Sequence, residues 1–176
     1  MATTATAQEE ALFRSGHEAL RFAYAYNTQQ YPMTLMGKMM RGLGLGSGRG
    51  LHGLDGAAVA GSVKRVVEAL PHDYRYVLVC RYVVTDREFE EALPRLLRTA
   101  VAALPTGAHP TRLVLKLICR YFGRPVKLAD LCNEFGMDAA TMTRRWQRVK
   151  GRLREVESSA SVAADGALVS VGMVHE

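Results

Sequence analysis

No run of about 18 apolar residues occurs anywhere in this chain, so no membrane-spanning helix is expected. The first ten residues, MATTATAQEE, lack a basic stretch and an apolar core, so no secretory signal is expected either. Cysteine is scarce: Cys80, Cys119 and Cys132 are an odd number, and no C-x2-C pair exists to build a zinc site. All three lie within apolar helical patterns, which suits reduced thiols in a cytoplasm. His17, His52, His72, His109 and His175 are scattered. No Ser–His–Asp set and no paired carboxylates are legible, so neither catalysis nor a metal nor a cofactor is expected.

Basic charge is present but uneven. The formal net charge of the 176 residues is +6. Residues 112–154 hold eleven Lys and Arg against Asp130, Glu134 and Asp138, a net of +8, while the remainder holds twelve basic and fourteen acidic residues. One block of 43 residues therefore carries all the excess, as a nucleic-acid face would. A solvated basic surface without a polyanion partner gives the same numbers, so spacing has to decide.

Helical spacing recurs along the chain. Leu12, Phe13, His17, Leu20 and Tyr24 predict a helix over 7–27. Tyr31-Pro32 ends it, and MTLMGKMM (33–40) suits a short helical turn. Seven glycines then fall between Gly37 and Gly53. Residues 48–53 match G-x-G-x-x-G, but no strand pattern precedes them, so a flexible loop is the better account than a nucleotide fold. Asp55 is the expected N-cap of a helix over 56–70. YRYVLVCRYVV is rich in β-branched and aromatic residues, so a strand competes there; helix is chosen from the helical context on both sides. Thr85 and Glu88 form a capping box before Phe89, Leu93, Leu96, Leu97, Val101 and Leu104, with Pro94 set to kink that stretch. Pro110 suits the first position of a helix running through Phe122. The last residues, 158–176, are small, polar and Gly-broken, and a disordered tail is expected.

The most specific signal is FGMDAATMTRRWQRVKGRL, residues 135–153. A short helix, KLADLCNE, precedes it, with Leu128, Leu131 and Cys132 inward. Gly136 stands at the corner, where a backbone without Cβ turns most easily. Met137 is apolar and Asp138 is the expected cap. Met142, Trp146, Val149 and Leu153 then recur at intervals of 4, 3 and 4, one helical face. The other face presents Ala139, Ala140, Thr143, Arg144, Gln147 and Arg148. Small residues in a first turn let a helix end enter the major groove, and Arg or Gln behind them reach base edges.

From Leu104-Pro105 through RLVLKLICRYFG and on to Leu153, the chain resembles region 4 of the bacterial sigma-70 superfamily over about 50 of its 176 residues. Arg145, Trp146 and Leu153 fall where that family has its Arg, Leu and Leu. The family's Glu-Ile-Ala is Asp130-Leu131-Cys132 here, its Ser cap is Asp138, and no region-2-like segment is present. Small helical proteins of this kind also resemble phage and prophage late-gene regulators, the Q-type antiterminators and the ArpU-like group. The resemblance implies an all-α fold, a small helical domain ending in a helix–turn–helix. It also implies double-stranded DNA as partner near a late promoter, with contact to RNA polymerase or its sigma subunit.

The expected organisation is an N-terminal helix (1–32), a Gly-rich loop (33–54), a helical core (55–105), a DNA-binding region (106–157) and a tail (158–176). Within the DNA-binding region, Ala139, Ala140, Thr143, Arg144, Gln147 and Arg148 are the base-reading candidates. Arg124, Lys127, Arg145, Lys150 and Arg152 are the phosphate candidates. Leu131, Gly136, Met137, Met142, Trp146, Val149 and Leu153 form the structural core. Two other readings stay open: a small terminase-like DNA-packaging component, or a protein-only module that binds sigma or polymerase through 33–40 and 86–104.

Overall fold

Residues 74–84 are the point at which the sequence allows either strand or helix, and they are helical up to Tyr82. The computed structural model describes residues 11–29, 53–107 and 109–175. Its helices are α1 (Gly16–Gln29), α2 (Gly53–Glu68), α3 (His72–Tyr82), α4 (Asp86–Ala92), α5 (Leu97–Val101), α6 (Thr111–Tyr121), α7 (Leu128–Phe135) and α8 (Ala139–Ser170). A short 3-10 helix over Leu93–Leu96 joins α4 to α5, and Pro94, which cannot donate to an α-helical ladder, sits inside it. No strand is found among the described residues, and the fold is all-α. The Gly-rich segment expected over 33–54 lies outside the described residues, apart from Gly53 and Leu54, which are helical. The Met-rich 33–40 stretch and most of the 48–53 match lie outside them too.

Several local signals act as the sequence suggests. The Thr85 hydroxyl accepts from the Glu88 amide at 3.4 Å, capping α4, and donates to the Glu88 carboxylate at 2.5 Å, so the carboxylate meets the hydroxyl rather than the Thr85 amide of a full capping box. Other boundaries move. Helix α1 begins at Gly16 rather than near residue 7, and Leu12–Ser15 precede it in irregular backbone. Asp55 lies in the first turn of α2, two residues inside its start, rather than capping it. Pro110 is the N-cap of α6, which ends at Tyr121.

The largest departure is the C-terminus. Residues 158–170 are not a disordered tail: they continue α8 without a break to Ser170. Val156, Ala160, Ala164 and Leu168 repeat every four residues and are all buried. Alanines make this stripe shallow, so neighbouring helices approach closely, and Ala has the best helix propensity of any residue. Helix α8 spans 32 residues, about 48 Å at 1.5 Å per residue. It packs on α1, α2, α3, α5, α6 and α7 and is the spine of the molecule. Past its end, the Phe13 amide donates to the Met173 carbonyl at 3.0 Å, and Phe13 and Val174 pair as a single parallel bridge. Both side chains are buried, which ties the segment before α1 to the end of α8.

Helices α1 and α2 meet at equally close range. A Cβ added at Gly56 would stand 2.6 Å from the ring of the buried Tyr26, so this contact requires glycine. Midway along α8, Glu157 takes two hydrogen bonds from the Arg81 guanidinium, at 2.5 and 2.6 Å, and one from the Tyr121 hydroxyl at 2.5 Å. One carboxylate thereby joins α3, α6 and α8. Burial, then the bond to Glu157, pushes the Tyr121 phenol up to about 12.

Candidate nucleic-acid interface

The basic block folds into three consecutive helices. Leu113, Val114, Leu117 and Ile118 turn one face of α6 into the core. Helix α7 is anchored by the buried Leu131 and by Glu134, which accepts from Lys116 at 2.5 Å and pairs with Arg112 at 3.1 Å. The bonded Lys116 ammonium, with Arg112 beyond it, holds the Glu134 carboxyl below its ordinary value.

Between α7 and α8 stands a turn of three residues. Gly136 closes α7 in the left-handed conformation, with φ 60°, and the Met137 amide returns to the Cys132 carbonyl. A side chain at that φ would be strained, which accounts for glycine at the corner. Asp138 then caps α8: its carboxylate accepts from the Thr141 amide at 2.8 Å. Hydrogen bonds from Thr141, the side chain's first and the amide's second, hold the Asp138 carboxyl below its ordinary value.

This turn aims the front of α8 outward. Ala139, Ala140, Thr143, Arg144, Gln147 and Arg148 are all exposed and share one side of the helix. On the other side Met142, Val149 and Leu153 are fully buried, at 0% exposure. Trp146 is half-buried rather than enclosed, and the Arg120 guanidinium lies 5.3 Å from its ring centre. Arg120 also donates to the Val126 carbonyl, so this arginine braces the α6–α7 connection instead of facing solvent. Met137 is half-buried beneath the turn.

The phosphate candidates divide. Lys127 and Lys150 are exposed and make no ion pair among the described residues. Arg124 is half-buried, paired with Asp86 at 2.5 Å, and its guanidinium sits 4.3 Å from the Phe89 ring centre. It is a tie between α4 and the end of α6, not a free cation. Arg145 is half-buried, and its Nη1 has no hydrogen-bond partner among the described residues. Arg152 pairs weakly with Glu155 at 3.4 Å and stands about 140° around the helix from Gln147.

One further cation of the basic block belongs to this side. Arg154 is exposed, makes no ion pair among the described residues, and follows Gln147 by seven positions, about 20° from it around α8. The exposed cations without ion pairs along this side are thus Arg144, Arg148, Lys150 and Arg154, with Lys127 at the start of α7. Arg144 also reaches back to the Ala140 carbonyl at 3.3 Å.

All three cysteines are free; burial pushes Cys80 up to about 12 and raises Cys119 as well. Among the described residues no His, Cys, Asp and Glu cluster is built to hold a metal, and no helix is long and apolar enough to cross a membrane. No protein-family model matches this chain, and no curated protein matches it.

Proposed function

We propose that this protein is a sequence-specific DNA-binding regulator of transcription, of the kind phages and prophages use for late genes. One observation carries the reading. A helix capped by Asp138 presents two alanines, a threonine, two arginines and a glutamine outward, while Met142, Val149 and Leu153 on its reverse side are fully buried. A helix held so rigidly by its underside can insert its front turns into a major groove without losing its footing. Small residues at positions 139 and 140 admit the helix end, and Arg144, Gln147 and Arg148 present the donors that read guanine or adenine edges. Lys127, Lys150 and Arg154 suit the flanking phosphates.

The sigma-70 region 4 likeness of residues 104–153 supports a role at promoters, with RNA polymerase or its sigma subunit as second partner and the cytoplasm as its place of action. Antitermination is the form of regulation that likeness suggests. The protein acts by binding, not by catalysis. Binding of a randomised duplex pool at fixed salt tests the reading: the protein enriches a defined sequence, and Arg144→Ala relaxes its preference. Recovery of an unenriched pool contradicts it.

A further inference from the structure

An open groove of about 330 Å³ lies between α2, α3 and α4, and no residue of α8 lines it. Tyr24 of α1 forms part of its wall and is 8% exposed. The surface that its hydroxyl keeps lies among Arg75, Glu68 and Glu88, the lining charges that act on the phenol. That hydroxyl makes no hydrogen bond among the described residues. Burial raises the phenol above its ordinary value, so at neutral pH it stays protonated and able to donate.

Two cations of the groove are equally uncommitted. Lys64 makes no ion pair among the described residues, and its ammonium lies 5.3 Å from the Tyr24 ring centre. Arg95 is exposed and likewise unpaired, 5.9 Å from the Tyr76 ring centre, with Arg75 5.3 Å from the same ring. A cation held against a ring keeps N–H donors for another partner. The acids, in contrast, are engaged. The Glu88 carboxylate accepts from the Thr85 hydroxyl, Glu91 accepts from Arg87 at 3.0 Å, and Glu68 stands 3.9 Å from Arg75. The groups left without a partner are thus a hydroxyl, an ammonium and a guanidinium, all of them donors.

A nearly buried donor left unpaired is costly, and an acceptor brought by an occupant relieves it. Ammonium and guanidinium groups bond most strongly to an oxyanion. The three glutamates repel a dense polyanion, so the occupant carries single, spaced carboxylates. The groove is not lined as a small-molecule site is: Val79 and Ala92 are its only aliphatic lining residues, and Glu68, Glu91 and Arg95 are exposed. Tyrosine beside arginine is instead the composition of a protein interface. We propose that this groove docks an acidic segment of a partner protein, one carboxylate meeting the Tyr24 hydroxyl and Lys64 and a second meeting Arg95 beside Tyr76.

The test is a titration of the full chain with a capped hexapeptide of alternating Glu and Leu, followed by amide nitrogen–proton spectra. Saturable shifts at Tyr24, Lys64, Tyr76 and Arg95 are expected, and the same peptide with Gln for Glu leaves those amides unmoved. Tyr24→Phe weakens the affinity roughly threefold or more. Its unfolding midpoint stays at the parent's, since the hydroxyl has no bond to lose. Arg95→Gln weakens the affinity severalfold and lowers its salt dependence. Shifts that never saturate, that the Gln peptide reproduces, or that survive unchanged in Tyr24→Phe and Arg95→Gln overturn the proposal. Saturable shifts with glutarate and none with the Glu peptide overturn it in favour of a small acid. Saturation of the same amides by duplex DNA overturns it as well. None of these residues lies on the reading side of α8, so failure here leaves the DNA-binding reading intact.

Discussion

The two halves of α8 share one helix and differ in nearly everything else. Residues 139–154 carry Arg144, Arg145, Arg148, Lys150, Arg152 and Arg154 with no acid among them; residues 158–170 carry Asp165 as their one charge. The first half buries large side chains, Met142, Val149 and Leu153, against the short helices around it. The second buries a stripe built on Ala160, Ala164 and Leu168. Glu157 marks the boundary, where Arg81 and Tyr121 grip the helix from two other elements. The difference teaches a division of labour. The C-terminal half is the anchor that fixes the helix, and the N-terminal half is the surface so fixed.

Substitutions in the two halves should therefore separate stability from binding. Leu168→Ala removes a fully buried side chain far from the charged surface. It is expected to cost roughly 2–5 kcal/mol of folding stability by urea unfolding, with DNA affinity unchanged wherever the chain stays folded. A parallel loss of affinity at fixed folded fraction would break the division. Arg144→Ala is the converse. It is expected to lose roughly 1–3 kcal/mol of discrimination between bound and mismatched duplex, with the thermal midpoint unmoved. Arg154→Ala should weaken binding to every duplex alike and lower the salt dependence of log affinity by about one.

The corner between α7 and α8 belongs to both sides of the comparison. Gly136→Ala adds a Cβ that meets nothing within 4 Å, so its cost is purely conformational. About 1–2 kcal/mol is expected from the left-handed backbone, read by urea unfolding. The smallest effect is in pH. Asp138 and Glu134 both have folded values lowered by their hydrogen bonds. Their stabilisation is present above the ordinary carboxylate range of about 4 and is lost as pH falls through the folded values below it. Asp138→Asn keeps an N-cap acceptor and removes its titration. Unfolding midpoints of this variant between pH 2 and 6 should thus fall less steeply than the parent's.

What could be read from the sequence follows the size of the side chains. Met142, Val149 and Leu153, Gly136 and the Asp138 cap were legible because large apolar residues, a lone glycine and a capping acid each leave a distinct mark. The Thr85 cap was legible for the same reason. The end of α8 was not: its stripe is mostly alanine, which hydrophobic periodicity hardly weighs, and Gly166 among serines resembles a linker. Gly166 has open space around it and interrupts nothing. The ion pair of Arg124 was not legible either. Its partner Asp86 lies 38 positions away, beyond the reach of any local pattern.

The central claim is that the exposed side of α8 between Ala139 and Arg148 reads a DNA sequence. Selection from a randomised duplex pool at about 0.15 M salt, where exposed charges are screened beyond about 8 Å, tests it most directly when run in parallel on the parent, Arg144→Ala and Arg148→Ala. The account predicts one enriched motif for the parent, with preference lost at neighbouring base pairs in each variant while overall retention persists. The same motif from all three proteins, or no motif from the parent, would contradict it.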